Sequence, residues 1–191
     1  MTEKNYLALF AKSFNWAGFF LPKNIYYDCS NLYAFCRVLD NLVDEKKSLE
    51  SRTERFNKIR YFFKRAYEQD DKSSKLTDQY EYSAIINEMI VIADNNGIKK
   101  IILDDLIEGV GSDLKTKVHL RSVKDLLVYS YRVAGTVGLM MAKILNVNDT
   151  RCLKGAIDLG IAMQLTNIAR DVIEDKKMKR QYIKTDFEKI E

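Results

Sequence analysis

The 191-residue chain reads as an all-α protein folded as one domain over residues 1–191, and three features of the sequence predict it. Turn residues are scarce, with eight glycines and one proline, well under the roughly 12% combined share of an ordinary chain. The many turns of a β-sandwich or barrel therefore lack their material. Apolar residues recur at steps of three and four almost throughout, the period of an amphipathic helix. The single proline is Pro22, so no later helix is interrupted by proline chemistry.

The first long helix is expected to begin after Pro22, near Asn24, and to carry Tyr33 to Asp44. A second runs from about Glu50 to Glu68 and is dense in charge, with Arg52, Arg55, Lys58, Arg60, Lys64 and Arg65 interleaved with Glu50, Glu54 and Glu68. That mixture, with no aromatic stacking motif, reads as a solvated face and not as a nucleic-acid surface. Asp78-x-x-Glu81 predicts a capping box for a third helix that Asn95-Asn96-Gly97 stops. A fourth spans about Lys99 to Glu108 and ends in Gly109-Val110-Gly111. Ser122-x-x-Asp125 caps a fifth that continues to about Leu145, and a sixth runs from Asn148 or Asp149 past Gln164 to about Asp175. Near the start, Phe10, Phe14, Trp16, Phe19, Phe20, Tyr26 and Tyr27 form an aromatic cluster that suits a core or the wall of a greasy binding site.

Composition excludes several chemistries. His119 is the only histidine, so multi-histidine zinc sites are impossible, and no nucleophile motif accompanies it. It reads as a surface or boundary residue. Cys29, Cys36 and Cys152 lack paired spacing and read as small buried hydrophobes in a reducing compartment. No apolar run reaches the ~18–20 residues of a membrane span, and Glu3 and Lys12 spoil a signal peptide. The expected location is the cytoplasm. A net charge of +4 is mixed in sign and decides nothing about partners.

Two polar stripes lie on otherwise apolar helices. Tyr33, Arg37, Asp40 and Asp44 follow one another at steps of four, three and four, and so share one helix face. Gln164, Asn167, Asp171 and Asp175 fall at offsets 0, 3, 7 and 11 and share another. A solvated edge is one reading, to which Arg170 and Glu174 would belong. Against it, the second stripe uses only short oxygen-bearing side chains. Asp40 and Asp44, like Asp171 and Asp175, also repel at i,i+4 unless a cation stands between them. Oxygen-only ligands suit Mg²⁺, and metal-assisted departure of a diphosphate is the chemistry that needs no histidine base. Gly135 and Gly138, in Y129-S-Y-R-V-A-G-T-V-G138, mark tight helix packing, a kink or the approach of a ligand, with Tyr131 placed to wall a cavity.

The segments Y33-A-F-C-R-V-L-D-N-L-V-D-E45, Y131-R-V-A-G-T-V-G138 and Q164-L-T-N-I-A-R-D-V-I-E-D175, with a weaker S13-F-N-W-A-G-F-F-L-P22, resemble the squalene/phytoene synthase family, its bacterial phytoene synthases most closely. The resemblance implies an isoprenoid synthase bundle around a central cavity, here without the family's C-terminal helices. It implies a prenyltransferase of carotenoid biosynthesis. Two prenyl diphosphates would condense head to head (1′–1) through a cyclopropylcarbinyl diphosphate, the favoured case being geranylgeranyl diphosphate to phytoene. Asp40, Asp44, Asn167, Asp171 and Asp175 would hold Mg²⁺, or Mn²⁺ in its place. Ser13, Arg37, Gln164 and Arg170 would bind the diphosphates, and Tyr131 would join Asp40, Asp44, Asp171 and Asp175 as a catalytic residue. NADPH is not expected of a phytoene synthase. The implied partners are prenyl diphosphates and, for release of a lipid product, the membrane surface, with no nucleic acid. The alternatives are a squalene or dehydrosqualene synthase acting on farnesyl diphosphate, and a non-catalytic member that binds lipid or assists assembly of a complex. Two departures stand out. Asn41 replaces the second aspartate of Asp-Asp-x-x-Asp, and K179-R-Q-Y-I-K184 keeps Arg180 and Tyr182 of Gly-Arg-x-Tyr-Leu-Pro but loses the glycine and the proline.

Overall fold

The computed structural model describes residues 16, 18, 20–68 and 82–183. Helix α1, Lys23–Asp44, starts directly after Pro22, where a residue without an N–H costs the helix nothing. Its inward stripe of Leu32, Phe35, Leu39 and Leu42 is wholly buried. Helix α2, Leu49–Glu68, lays Phe56, Ile59 and Phe63 against that stripe, the rings of Phe35 and Phe63 lying 5.2 Å apart. As expected, Lys58, Arg60, Lys64 and Arg65 occupy the solvated face, whereas Arg52 and Arg55 turn back to the Val43 carbonyl and the Glu45 carboxylate and pin the α1–α2 corner.

Helix α3, Ser83–Asn95, ends where predicted, at Asn96 and at Gly97 in the left-handed region (φ 61°). The capping box proposed at Asp78 and Glu81 lies outside the described residues. Helix α4, Lys100–Gly111, runs three residues past the predicted stop. Gly109 and Gly111 are packing residues and not terminators. A Cβ on the first would stand 2.6 Å from Cβ of Arg132, and on the second 2.8 Å from Cε1 of Phe56.

Strand β1, Val118–His119, pairs in parallel with β2, Arg180–Gln181, and this two-residue ladder has no periodic signature in sequence. The predicted fifth helix is capped by the expected Ser122–Asp125 box but is made of three pieces. These are α5 (Val123–Ser130), one π-turn (Tyr131–Gly135) and α6 (Thr136–Ile144). Helix α7, Thr150–Arg170, stops at Asp171 (φ −101°, ψ 15°), and α8, Val172–Lys177, follows, so the predicted sixth helix is broken once. Tight packing explains the glycines here. A Cβ on Gly138 would lie 2.2 Å from the Ala156 carbonyl oxygen, and one on Gly160 2.3 Å from that of Ala134, so α6 and α7 touch backbone to backbone.

The main core joins α1, α2, α3, α4 and α6, and a second, smaller cluster of Val118, Tyr129, Ile168 and Tyr182 sits where β1 and β2 meet α5 and α7. Two expectations are corrected. Trp16 and Phe20 are more than two-thirds exposed and stack edge to face on the surface, so they are not core. Phe10, Phe14 and Phe19 lie outside the described residues. Cys152 is exposed on the outer face of α7, unlike Cys29, whose thiol burial pushes up to about 11. His119 is at the surface as expected, its Nδ1 sharing a hydrogen with Gln181 Oε1 at 2.8 Å. Among the described residues no helix is long and apolar enough to cross a membrane.

Candidate active site

The two polar stripes face one cavity of about 330 Å³. Helix α1 contributes Asp40 and Asp44 to its wall, and α7 and α8 contribute Gln164, Asn167, Arg170, Asp171 and Asp175. Seven of the residues singled out in sequence thus converge on one space from opposite sides. Asp40, Asp44, Asn167 and Arg170 are exposed and Gln164, Asp171 and Asp175 half-buried, so the stripes edge an open cleft.

Crowding of carboxylates sets the electrostatics. Asp40 opens onto the cavity but is ringed by protein. Loss of water, then repulsion from Asp44 and Asp113, pushes its carboxyl up to about 6 against the pull of Arg37 and Arg180. Asp175 is likewise raised to about 6, by desolvation and by Asp171, Asp113 and Asp44, with Arg180 opposing. Asp171 goes the other way. Arg170 donates to both of its oxygens, Nε and one terminal nitrogen each at 2.6 Å, and this fork holds the carboxyl below its usual range. Arg180 donates to Asp44 Oδ1 at 2.7 Å and so joins the strand after α8 to the end of α1. Each stripe therefore holds an arginine.

Among the described residues no three acidic, cysteine or histidine side chains converge into a ready-made metal cage. A hard cation such as Mg²⁺ does not need one. It is held by one or two carboxylates and completes its shell with water and phosphate oxygens. The residues fit that mode. The donor set is all oxygen, and the carboxyls of Asp40 and Asp175 are raised by burial and by repulsion from neighbouring carboxylates, the second of which a cation between the stripes would relieve.

Other sequence-derived residues lie elsewhere. Arg37 sits beside Asp40, half-buried behind the cavity wall, and acts on it through charge. Tyr131 is not in the lining. Its hydroxyl donates to Asp105 Oδ2 at 3.2 Å, on the α4 side. Ser13 lies outside the described residues. Asn41 is exposed and outside the lining, as its 100° offset from Asp40 requires.

Sequence reasoning gives no site role to four polar lining residues: Asp113 and Tyr129, and Arg180 and Tyr182, which it marks only as retained motif residues. Tyr129 had one available signal. It precedes Val133, also in the lining, by four residues, whereas positions 129 and 131 diverge by about 200° on a helix, so only one can face inward. The lost motif glycine also has a visible consequence. Lys179 takes the left-handed conformation (φ 60°) that a glycine would adopt freely, closing α8 with its N–H bonded to the Lys176 carbonyl at 3.0 Å. Lys179→Gly should therefore stabilise the protein by about 0.5–1 kcal/mol, the left-handed penalty less the glycine entropy, read from chemical denaturation midpoints.

A helical bundle that brings two carboxylate stripes to one cleft is the isoprenoid synthase fold. A solved dehydrosqualene synthase matches it with a TM-score of 0.67 at 30% identity, covering 92% of this chain and 57% of that one. The chain belongs to the squalene/phytoene synthase family, whose model matches residues 7–187. It is 37% identical to a 15-cis-phytoene synthase of Paracoccus sp. and 30% identical to one of Pantoea ananas, each alignment covering 93% of this chain and 57% of the relative. The chain thus spans a little over half the length of the relatives it matches. Members of the family are prenyltransferases that generally use a divalent metal.

Proposed function

We propose that this cavity serves the Mg²⁺-dependent head-to-head condensation of two prenyl diphosphates, with geranylgeranyl diphosphate as substrate and phytoene as product. The observation that carries the reading is the convergence of Asp40, Asp44, Gln164, Asn167, Arg170, Asp171 and Asp175 on one cleft. The names of the relatives, phytoene synthases in several bacteria, support the product.

Mg²⁺ bound by these carboxylates would stabilise the negative charge that grows on the departing diphosphate. The chain's own groups do the remainder. Arg170 and Arg180, now held on Asp171 and Asp44, are fixed cations within reach of a diphosphate entering between the stripes. Gln164 and Asn167 offer amide donors to its oxygens. Val43, Val110, Val133 and Ile168 supply the apolar wall against which a carbocation is kept from water. Tyr129 and Tyr182, and not Tyr131, are the aromatic groups of the lining that a carbocation would meet.

Incubation with Mg²⁺ and geranylgeranyl diphosphate is expected to release pyrophosphate and form phytoene. No turnover of either C15 or C20 diphosphates would overturn the reading. The second reading, dehydrosqualene formation from farnesyl diphosphate, is favoured by the solved neighbour, and the same assay with C15 substrate separates the two. Arg180→Met should raise the KM for the diphosphate at least about tenfold, as expected for loss of a charge-assisted bond of about 1.5–3 kcal/mol.

A further inference from the structure

Behind the aspartate stripes lies a cluster built on Asp113. Asp113 follows α4 in the turn that leads toward β1, and its residue surface is only 9% exposed. The hydroxyl of Tyr129 donates to Asp113 Oδ2 at 2.8 Å, and that of Tyr182 donates to the same oxygen at 3.0 Å. The two hydroxyl oxygens are 3.2 Å apart, and the rings stack at 4.8 Å with 24° between their planes. Three distant segments, α4's turn, α5 and the strand after α8, are thus gathered on one carboxylate oxygen. All three residues line the cavity. The other oxygen, Oδ1, is buried and has no hydrogen-bond partner, a costly arrangement for a residue whose only task is to hold two tyrosines.

The direction of these bonds fixes the chemistry. With both hydroxyls donating to Asp113 Oδ2, the Tyr129 oxygen keeps lone pairs that can accept a proton, and Tyr129, Tyr182 and Asp113 all belong to the cavity lining. We propose that Asp113 is a positioning residue for the condensation, which orients the Tyr129 hydroxyl and receives its proton when the carbocation is quenched. The inference rests on the prenyl diphosphate reading above. The step balances. A C–H bond next to the cationic carbon breaks, its electron pair forms the carbon–carbon bond that neutralises the cation, and the proton goes to the Tyr129 oxygen. The Tyr129 O–H proton passes to the Asp113 carboxylate, which becomes neutral and later returns it to water. Burial raises the basicity of Asp113 against the opposing tyrosine bonds and Arg180, which favours it as the acceptor.

The test compares the full chain with Asp113→Asn, Tyr129→Phe and the double variant, using geranylgeranyl diphosphate and Mg²⁺. Asp113→Asn should lower kcat per folded molecule roughly a hundredfold while the KM for the diphosphate stays within about twofold. The double variant should be no slower than the slower single one. Asp113→Glu, which keeps the carboxylate, should recover part of the rate, and it serves as the second variant if Asp113→Asn folds poorly. An unchanged kcat per folded molecule, a loss carried by KM, or losses that multiply in the double variant would each sink the inference. A wild-type chain that turns over no prenyl diphosphate would overturn the functional reading itself, and this inference with it.

Discussion

Asp171→Asn should abolish prenyl diphosphate turnover, with kcat/KM falling at least about a thousandfold, while the fold survives. The loss follows from removing one charge among the few available to hold a divalent cation against a diphosphate, a contribution of several kcal/mol to the transition state. The fold survives because Asp171 is only half-buried and its side chain pairs with an exposed arginine, Arg170. Its carboxyl is held low by Arg170, so its contribution to stability is present above the ordinary aspartate range and fades only as the pH falls through the depressed value. Asparagine also suits the backbone at the α7–α8 break, near φ −101° and ψ 15°. Thermal melting and a pyrophosphate-release assay on the same sample check both halves.

Asp40→Asn should lose activity to a similar degree and yet raise the melting temperature. Its carboxyl is pushed up to about 6 by burial and by Asp44 and Asp113. An acid whose folded value lies above its unfolded one favours the folded state at low pH, and that advantage disappears as the pH rises through the folded value. Above about pH 6 the wild type therefore carries an unfavourable charge that asparagine removes, whereas below about pH 4 the two should melt alike. Opposite stability effects from two aspartates of the same cleft would show that Asp40 is strained by burial and by neighbouring carboxylates while Asp171 is relieved by Arg170. Mg²⁺ should raise the wild-type melting temperature at pH 8 more than that of Asp40→Asn. Equal melting curves at pH 8 would contradict this account.

The contrast between Tyr129 and Tyr131 illustrates how far the sequence carries. Both stand in one apolar segment, both are compatible with a cavity wall, and they point about 200° apart. Which one faces inward depends on how α5 rolls against α7, and the π-turn at Tyr131–Gly135 adds a residue to the register just there. Asp113 was less legible still. It sits in a turn with no periodicity, and what distinguishes it is two hydroxyls arriving from residues 16 and 69 positions away. Arg180 carried a motif resemblance but no role until its 2.7 Å contact with Asp44, across 136 positions, gave it one. The glycines of α4 misled for the opposite reason. Their local preference is to end a helix, and packing against Arg132 and Phe56 overrode it.

Much was nevertheless written locally. The scarcity of turn residues and the three-four apolar spacing determined an all-helical chain, because both properties act within a few residues of each other. The spacing of Asp40 with Asp44, and of Gln164, Asn167, Asp171 and Asp175, determined two one-sided polar stripes for the same reason. The lone histidine directed the chemistry to oxygen ligands. Tertiary structure alone decided that the stripes face one another, that arginines occupy them, and that a carboxylate with two tyrosines stands behind. Those are relations between residues far apart in the chain, fixed by how helices pack and not by any period along one of them.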